Sequence, residues 1–468
     1  MRILLVGSLS WNPERVLSLV ERGHELWAVW TRSMAWDQGP YPVLDGNVRT
    51  IAAADAPRVI REEGIDVVYS LFQVYDRRIW APPRAGVEPG DAWTVLRFLL
   101  AERARGSFAA PIVRHWGFDV HNVDLEVAQA LDGHVICNEE KHVFWRTPVS
   151  QGGAGIDVVG DCEVLTYLDG DRPKLEFMHD RFAPRLSDED GEPHTVCLGR
   201  PFGIDYVAAA RAGIHVHVYG NSFDEAWSMI VRDLSPRVAR RERALLRRYL
   251  HVHRSLQTVG ASRAEVWAAK ERWVEEFSRY DAGWSYLGRP LPWPDLDDRG
   301  AIPNRISTYV LSGLPIVSDV RPGCVRYEEP RRLGIAIDLG PGGYPGLRAA
   351  LDEELRTRAR SERARAERAA YSFDASIDTL LGTLDRARTA YLAGPPEGRR
   401  PAPVGPPRLT SLATSPGVRG FLAGTRNRLG EPGPLAWRVV LDEASEVVRR
   451  RTRPRHARRL QRLLGDGA

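Results

Sequence analysis

The sequence predicts an α/β protein of two consecutive domains, each with a parallel, doubly wound sheet. Three observations carry that expectation. The first half alternates short apolar, β-rich runs with amphipathic helical stretches. An acidic, turn-rich segment, Asp188–Pro193 (DEDGEP), then interrupts the pattern, and a second alternating series follows it.

In chain order, the strands expected in the first domain are Ile3–Val6, Leu26–Trp30, Val67–Ser70, Ile112–His115 and His134–Cys137. Amphipathic helices fit between them at Pro13–Arg22, Ala56–Glu63, Trp93–Arg103 and Val123–Leu131. In the second domain, Thr195–Leu198 and His215–Tyr219 read as strands. Ser262–Tyr280 reads as a helix, with Val266, Trp267, Trp273, Val274 and Phe277 roughly on one face. Gly283–Leu287, Pro315–Ser318 and Gly334–Asp338 follow as strands. Arg348–Ala370 is charged enough for a solvated helix, and Asp374–Leu392 carries Ile377, Leu380, Leu381, Leu384 and Tyr391 at helical spacing. The expected organisation is therefore a Rossmann-like domain over residues 1–190, a second over 191–372, a helix at 373–392, and a Pro-rich linker with a basic tail over 393–468. Two such sheets in tandem leave a deep interdomain cleft, and open α/β sheets bind ligands at the carboxyl ends of their strands.

A chain of 468 residues, 43% apolar and 27% charged, suits a soluble protein of more than one core. The net charge of +4 is small for this length and gives no case for a nucleic-acid partner. Basic charge is almost all arginine, as in proteins of GC-rich genomes. Cys137, Cys162, Cys197 and Cys324 form no C-x-x-C pair, and Cys137 and Cys197 sit in apolar runs as small core residues. The opening MRILLVGSLSW is a strand running into a loop rather than a signal peptide, and no apolar run reaches the roughly 18 residues of a membrane span. A cytoplasmic location is expected.

Several chemistries are disfavoured. The loop GSLSWNP after the first strand has one glycine, where a dinucleotide site needs several, and no P-loop, H-E-x-x-H or G-x-S-x-G stretch occurs. Asp169-Gly-Asp171 and Asp295-Leu-Asp297 could hold Mg²⁺ or Mn²⁺, but surface-turn aspartates are commoner, so no metal is expected. His215-Val-His217 and His251-Val-His253 lack a carboxylate or cysteine at usual metal-site spacing and read as core or cleft histidines.

Three segments point one way. CLGRPFGIDYVAAARAGIHVHVYGN reads as strand, Gly199-Arg200, helix, strand and Tyr219-Gly220. RHWGFDVHN places His115, Trp116 and Asp119 at the end of a first-domain strand. In PNRISTYVLSGLPIV, Asn304 is a fit helix N-cap, Ile306, Tyr309 and Val310 share a face, Gly313 stops the helix, and Pro315-Ile316-Val317 begins a strand. The free N–H groups of such a helix start suit a diphosphate.

Together these segments resemble the nucleotide-sugar-dependent, family 4-like glycosyltransferases of the GT-B fold, over residues 1–392. PNRISTYVLSGLPIV resembles that group's N-[KR]-[IL]-x-E-Y-x-x-x-G-x-P stretch, HWGFDV its W-G-[ST]-D element, and LGR its diphosphate-binding turn. Asp374–Leu392 matches the helix that crosses back onto the first domain. The resemblance implies an NDP-sugar donor as co-substrate, a hydroxyl acceptor and no cofactor. It implies that Arg200 neutralises the diphosphate, with Asn304, Arg305 and Ile306 supporting the phosphates and Tyr219, Gly220 and Thr308 in the donor site. Asp119 and His115 would face the reacting sugar, and Gly7, Ser8 and Trp116 the acceptor. It further implies retention, with the leaving phosphate assisting the acceptor; inversion would need Asp119 or His115 as a base. The sequence departs from the group's two glutamates: Thr308 stands at the second position and DDRGAIP offers none at the first, which leaves a neutral hydroxyl toward the donor. An NDP-sugar epimerase or a non-catalytic sugar-nucleotide-binding protein on the same fold are the alternatives. In the tail, arginines and the leucines Leu460, Leu463 and Leu464 recur at helical spacing, a pattern expected of a weak interfacial helix on anionic lipid or of a solvated end.

Overall fold

The computed structural model describes residues 1–9, 13–31, 46–71, 88, 91–116, 123–136, 162–164, 181–199, 203–220, 223–231, 233–253, 272–285, 305–319, 325–394, 409–410 and 456–464. Fifteen strands occur among them: β1 (Arg2–Gly7), β2 (Glu25–Trp30), β3 (Val48–Thr50), β4 (Val67–Ser70), β5 (Ile112–Trp116), β6 (Val123–Asp124), β7 (Gly133–Ile136), β8 (Cys162–Val164), β9 (His194–Leu198), β10 (His215–Tyr219), β11 (Leu250–His253), β12 (Ala282–Trp284), β13 (Ile316–Asp319), β14 (Ala336–Leu339) and β15 (Leu409–Thr410). They build a seven-stranded sheet, β3-β2-β1-β4-β5-β7-β8, and a six-stranded sheet, β11-β10-β9-β12-β13-β14; every pairing within these two is parallel. The strand order reverses between β1 and β4 in the first sheet and between β9 and β12 in the second. Those two places are the topological switch points where open α/β sheets form ligand crevices.

Both sheets are covered on both faces, which is why their strands read as apolar runs. In β1, Leu4 and Val6 join the core under the helices Ala56–Glu62 and Ala92–Ala104, while Ile3 and Leu5 point to the other face. That other face is covered by the helix Pro13–Glu21 and by Ile377–Ala393, which contributes Ile377, Leu380, Leu384 and Ala387. Each of the larger three, buried, stabilises this docking by about 1.5–3 kcal/mol. Tyr371 belongs to the core of the second sheet and Phe373 to that of the first, so the chain crosses between the two within three residues. Gly133 in β7 makes the crossing helix fit: a Cβ there would lie 3.3 Å from both Ala387 Cβ and Val113 Cγ2. The exposed ion pair Arg22–Asp378 (2.6 Å) and the half-buried pair Arg388–Asp66 (3.1 Å) flank the contact, and the exposed one adds little.

Several expected elements differ. The helix expected over Arg348–Ala370 is two, Gly343–Thr357 and Ala359–Ala366, broken at Arg358 with φ +57°. The break turns the Arg358 guanidinium onto Asp281 (3.0 Å) and Asp188 (2.9 Å). The helix expected from Val123 begins at Leu125, because buried Asp124 acts as its N-cap and takes both forks of Arg97. Of the helix expected over Ser262–Tyr280, Trp273–Phe277 lies among the described residues. β11 was not foreseen.

The tail also requires correction. Residues 456–464 are helical, and Ala457, Leu460 and Leu464 are buried in the core of the second domain beside Leu246, Tyr249 and Leu347. Arg243 Nε donates to Leu463 O (3.0 Å). The leucines expected to dip into acyl chains are therefore committed to the protein interior. No helix among the described residues is long and apolar enough to cross a membrane.

Candidate functional site

At the first switch point β1 ends in Gly7, whose φ of +145° favours glycine. A Cβ there would come within 3.0 Å of Leu71 Cβ, so β1 and the residue after β4 approach more closely than a side chain at Gly7 permits. Leu71 N donates to Val6 O (2.8 Å) and Thr31 N to Gly7 O (3.0 Å), and Ser8 follows, wholly buried. On β5, His115 is buried on the face of the helix Pro13–Glu21, where Arg15 donates to Tyr69 OH (3.3 Å) and that hydroxyl lies 3.0 Å from His115 Nδ1. Burial pushes the Tyr69 hydroxyl up from its ordinary value, against the pull of Arg15, so it stays protonated and can donate to His115.

At the second switch point the backbone turns at Gly199, φ +72°, directly after β9. Arg305, the first residue of the helix Arg305–Leu311, lies behind that turn: a Cβ on Gly199 would lie 3.7 Å from Arg305 Nη2. Its guanidinium reaches Cys197 Sγ (3.4 Å) and Trp284 O (3.5 Å). Burial pushes the Cys197 thiol up, with Arg305 opposing, so it is no nucleophile. One turn on, the Tyr309 hydroxyl sits between the strand ends, accepting from Leu198 N (3.0 Å) and lying near Trp284 O (3.1 Å) and Val196 O (3.2 Å). The pairing of β9 with β12 stops at Val196–Gly283, so this hydroxyl takes over where the ladder splays. Gly283 is what lets the ring in, since a Cβ there would lie 2.5 Å from Tyr309 Cγ and Cδ1.

The structure thus brings Gly199, Arg305 and Tyr309 together, and Gly7 and Ser8 lie at the other switch point. It corrects two expectations. Trp116 is not exposed toward an acceptor: it is core, with Nε1 donating to His134 Nδ1 (2.8 Å) and its ring 5.5 Å from that of Trp93. Tyr219 does not offer its side chain to a donor either. Its hydroxyl bonds Glu276 (2.5 Å) and Tyr280 (2.7 Å) on the buried face, while its carbonyl accepts from Gly199 N (2.6 Å). Gly220 follows it at the strand end, Ile306 is core, and Thr308 is buried. Arg200, Asn304 and Asp119 lie outside the described residues, as do both Asp-x-Asp stretches. Tyr309 had been legible only as a packing residue, and Ser285 had no signal at all. Ser285 follows β12, and its buried hydroxyl has no hydrogen-bond partner among the described residues.

His215 and His217 are buried, as expected of core histidines, but carboxylates reach them from outside the local sequence. The two His-Val-His stretches stand side by side on β10 and β11, with His217 opposite His251. The carboxylates missing from the local sequence arrive from the turn before β9: Glu192 lies 2.8 Å from His215 Nε2, and Asp190 lies 3.1 Å from His194 Nε2. Burial, then the neighbouring rings, hold His217 well below its ordinary value and His251 at about 4.

No family's sequence model matches the chain, and no curated protein matches it in sequence. In three dimensions it is similar to a glycosyltransferase from Rickettsia africae, with a TM-score of 0.50 and 12% identity over 82% of this chain and 98% of that one. It is also similar to an O-GlcNAc transferase mutant from Thermobaculum terrenum (TM-score 0.46, 14% identity, 84% of this chain and 68% of that one). A third similar structure is Anabaena HepE in complex with UDP (TM-score 0.46, 11% identity, 82% and 100%). At such identities the likeness is one of fold. The chain has the GT-B architecture: two tandem Rossmann-like domains, with a C-terminal helix returned to the first.

Proposed function

We propose that this protein is a glycosyltransferase that moves a sugar from an NDP-sugar to a hydroxyl of a small molecule, lipid-linked glycan or polymer. One observation carries the reading. The described parts of the three motif segments support it: His115 and Trp116 end β5, Leu198 and Gly199 close β9, and Arg305–Leu311 forms the helix that leads to β13. Arg305 and the Gly199 turn bracket the second switch point, where an anionic diphosphate suits a buried guanidinium. Arg200, next in the chain, neutralises the leaving group as its charge grows. The acceptor oxygen bonds to the anomeric carbon as the bond to the diphosphate breaks, and a phosphate oxygen takes the hydroxyl proton, with retention. Asp119 acts on the acceptor side. No Mg²⁺ or Mn²⁺ takes part in the transfer. Leu460 and Leu464 are buried, so contact with anionic lipid draws on the tail arginines and not on these two leucines.

The test is a thermal-shift screen of UDP, GDP, TDP and CMP, followed by NDP release with candidate acceptors. One nucleoside diphosphate at about 100 times its Kd is expected to stabilise the chain by about 2.7 kcal/mol. Arg200→Ala, losing a charged hydrogen bond, is expected to weaken that binding by about 10–100-fold. No shift with any nucleotide, or unchanged binding in a folded Arg200→Ala variant, overturns the donor assignment.

A further inference from the structure

We propose that the second domain carries a binding site for a divalent transition-metal ion of the zinc class, formed by His194, His215 and His217 near the amino-terminal edge of its sheet. These three residues offer ligand nitrogens within 4.8 Å of one another, and all three are buried. They stand on the face opposite Val216 and Val218, at the end of the sheet away from the Gly199 turn, so the site is separate from the proposed donor crevice.

Hydrogen bonds to carboxylates orient two of the rings. Asp190 and Glu192 can only accept, so His194 and His215 carry their protons on Nε2. Their Nδ1 atoms lie 2.9 Å from His217 Nε2 and 2.9 Å from His251 Nε2, and His217 Nδ1 lies 2.8 Å from His253 Nε2. With Nε2 of His194 and His215 turned to carboxylates, their Nδ1 atoms are the nitrogens available to an ion, and a ring binds metal in its neutral form. Both rings already donate to a carboxylate through the nitrogen that would face away from the ion, the arrangement in which such partners orient zinc-ligating histidines.

Nothing in the sheet itself calls for five imidazoles on adjoining strands, where apolar side chains would pack without polar atoms to satisfy. The rings are close: His194 and His215 stack at 4.1 Å, and His217 and His251 at 4.3 Å. Tetrahedral coordination at 2.0–2.1 Å sets ligand nitrogens about 3.3 Å apart, so binding draws the triad together and turns the stacked rings of His194 and His215 toward a common point. The ion replaces a hydrogen at two contacts: His217 carries its proton on Nδ1 toward His253 Nε2, which accepts with its own proton on Nδ1, and His251 likewise carries its proton on Nδ1, leaving His215 Nδ1 free. Imidazole nitrogens with carboxylate partners select zinc-like ions over Mg²⁺.

The experiment uses the full chain, tag-free and stripped by chelator, titrated with Zn²⁺ by calorimetry and with Co²⁺ by visible absorption, with Mg²⁺ as the contrast. One equivalent of Zn²⁺ is expected to bind saturably, and Co²⁺ to show the intense bands of a four-coordinate site. His194→Gln and His217→Gln are expected to lose more than about 100-fold in affinity, and Asp190→Asn, on an exposed partner, about 10–100-fold. Exposed His456→Gln is expected to change nothing. Absence of saturable Zn²⁺ binding by the folded native chain overturns the site, as does binding that survives both His194→Gln and His217→Gln. The readout is independent of sugar transfer, so it stands or falls apart from the proposed activity.

Discussion

Removing a single oxygen atom, in Tyr309→Phe, tests whether the second switch point is built as described. The ring remains, so the fit against Gly283 is untouched. What is lost is the acceptor for Leu198 N, at 3.0 Å, and the donor to a strand-end carbonyl, Trp284 O at 3.1 Å. An unpaired buried N–H costs about 1–3 kcal/mol, and the carbonyls retain other access, so the expected loss of stability is about 1–3 kcal/mol. Because Leu198 immediately precedes the Gly199 turn, freeing its N–H also loosens the segment proposed to hold the diphosphate. Donor affinity is expected to fall by up to about tenfold, equivalent to about 1.4 kcal/mol. Urea unfolding of the whole chain measures the first quantity and nucleoside-diphosphate titration the second. Gly283→Ala approaches the same contact from the other side. Its Cβ would stand 2.5 Å from ring carbons that need about 3.5–4.0 Å, so the ring must shift and take its hydroxyl with it. The expected loss is about 2 kcal/mol or more. A Tyr309→Phe chain with unchanged midpoint and unchanged nucleotide affinity refutes the role given to the hydroxyl. A harmless Gly283→Ala refutes the ring placement.

Other perturbations test the remaining contacts. Burial, with Arg114 nearby, holds His134 at about 4 against an ordinary 6.5, so the unfolded chain takes up that proton first as pH falls. Its contribution to stability is complete above about pH 6.5 and lost progressively down to about 4, a swing of about 3 kcal/mol; His134→Gln, which keeps an acceptor for Trp116, is expected to flatten the denaturation profile by that amount within this window. Leu460→Ala is expected to cost about 2–5 kcal/mol in denaturant unfolding, since Leu460 is fully buried in the second core; a loss under about 0.5 kcal/mol would place the tail helix in solvent instead. Gly133→Val overfills the 3.3 Å contact with Ala387 and is expected to cost about 1–3 kcal/mol, partly recovered by Ala387→Gly in a double-mutant cycle; strict additivity of the two would argue against direct contact.

Most of the scaffold was legible in the chain itself, because a parallel sheet covered on both faces requires continuous apolar strands and amphipathic covering helices. Ile3–Val6, Leu26–Trp30 and Val67–Ser70 announce themselves that way, and Ile377, Leu380 and Leu384 mark the returning helix by their spacing. What the pattern could not carry were facts that depend on which strands become neighbours. Trp116 and Tyr219 stand at strand ends, as an acceptor or donor site would want, but whether a side chain at a strand end faces a crevice or a core is set by the face it lands on, and both landed inside. Leu460 and Leu464 give the same helical spacing for a lipid surface as for a protein groove, and only packing against Leu246 and Leu347 distinguished the two. Asp190, Glu192 and His194 come from one stretch and His215 and His217 from another, so no local spacing could join the two groups. They meet because β10 pairs with β9, and hydrogen-bonded parallel strands lie about 4.8 Å apart however distant they are along the chain.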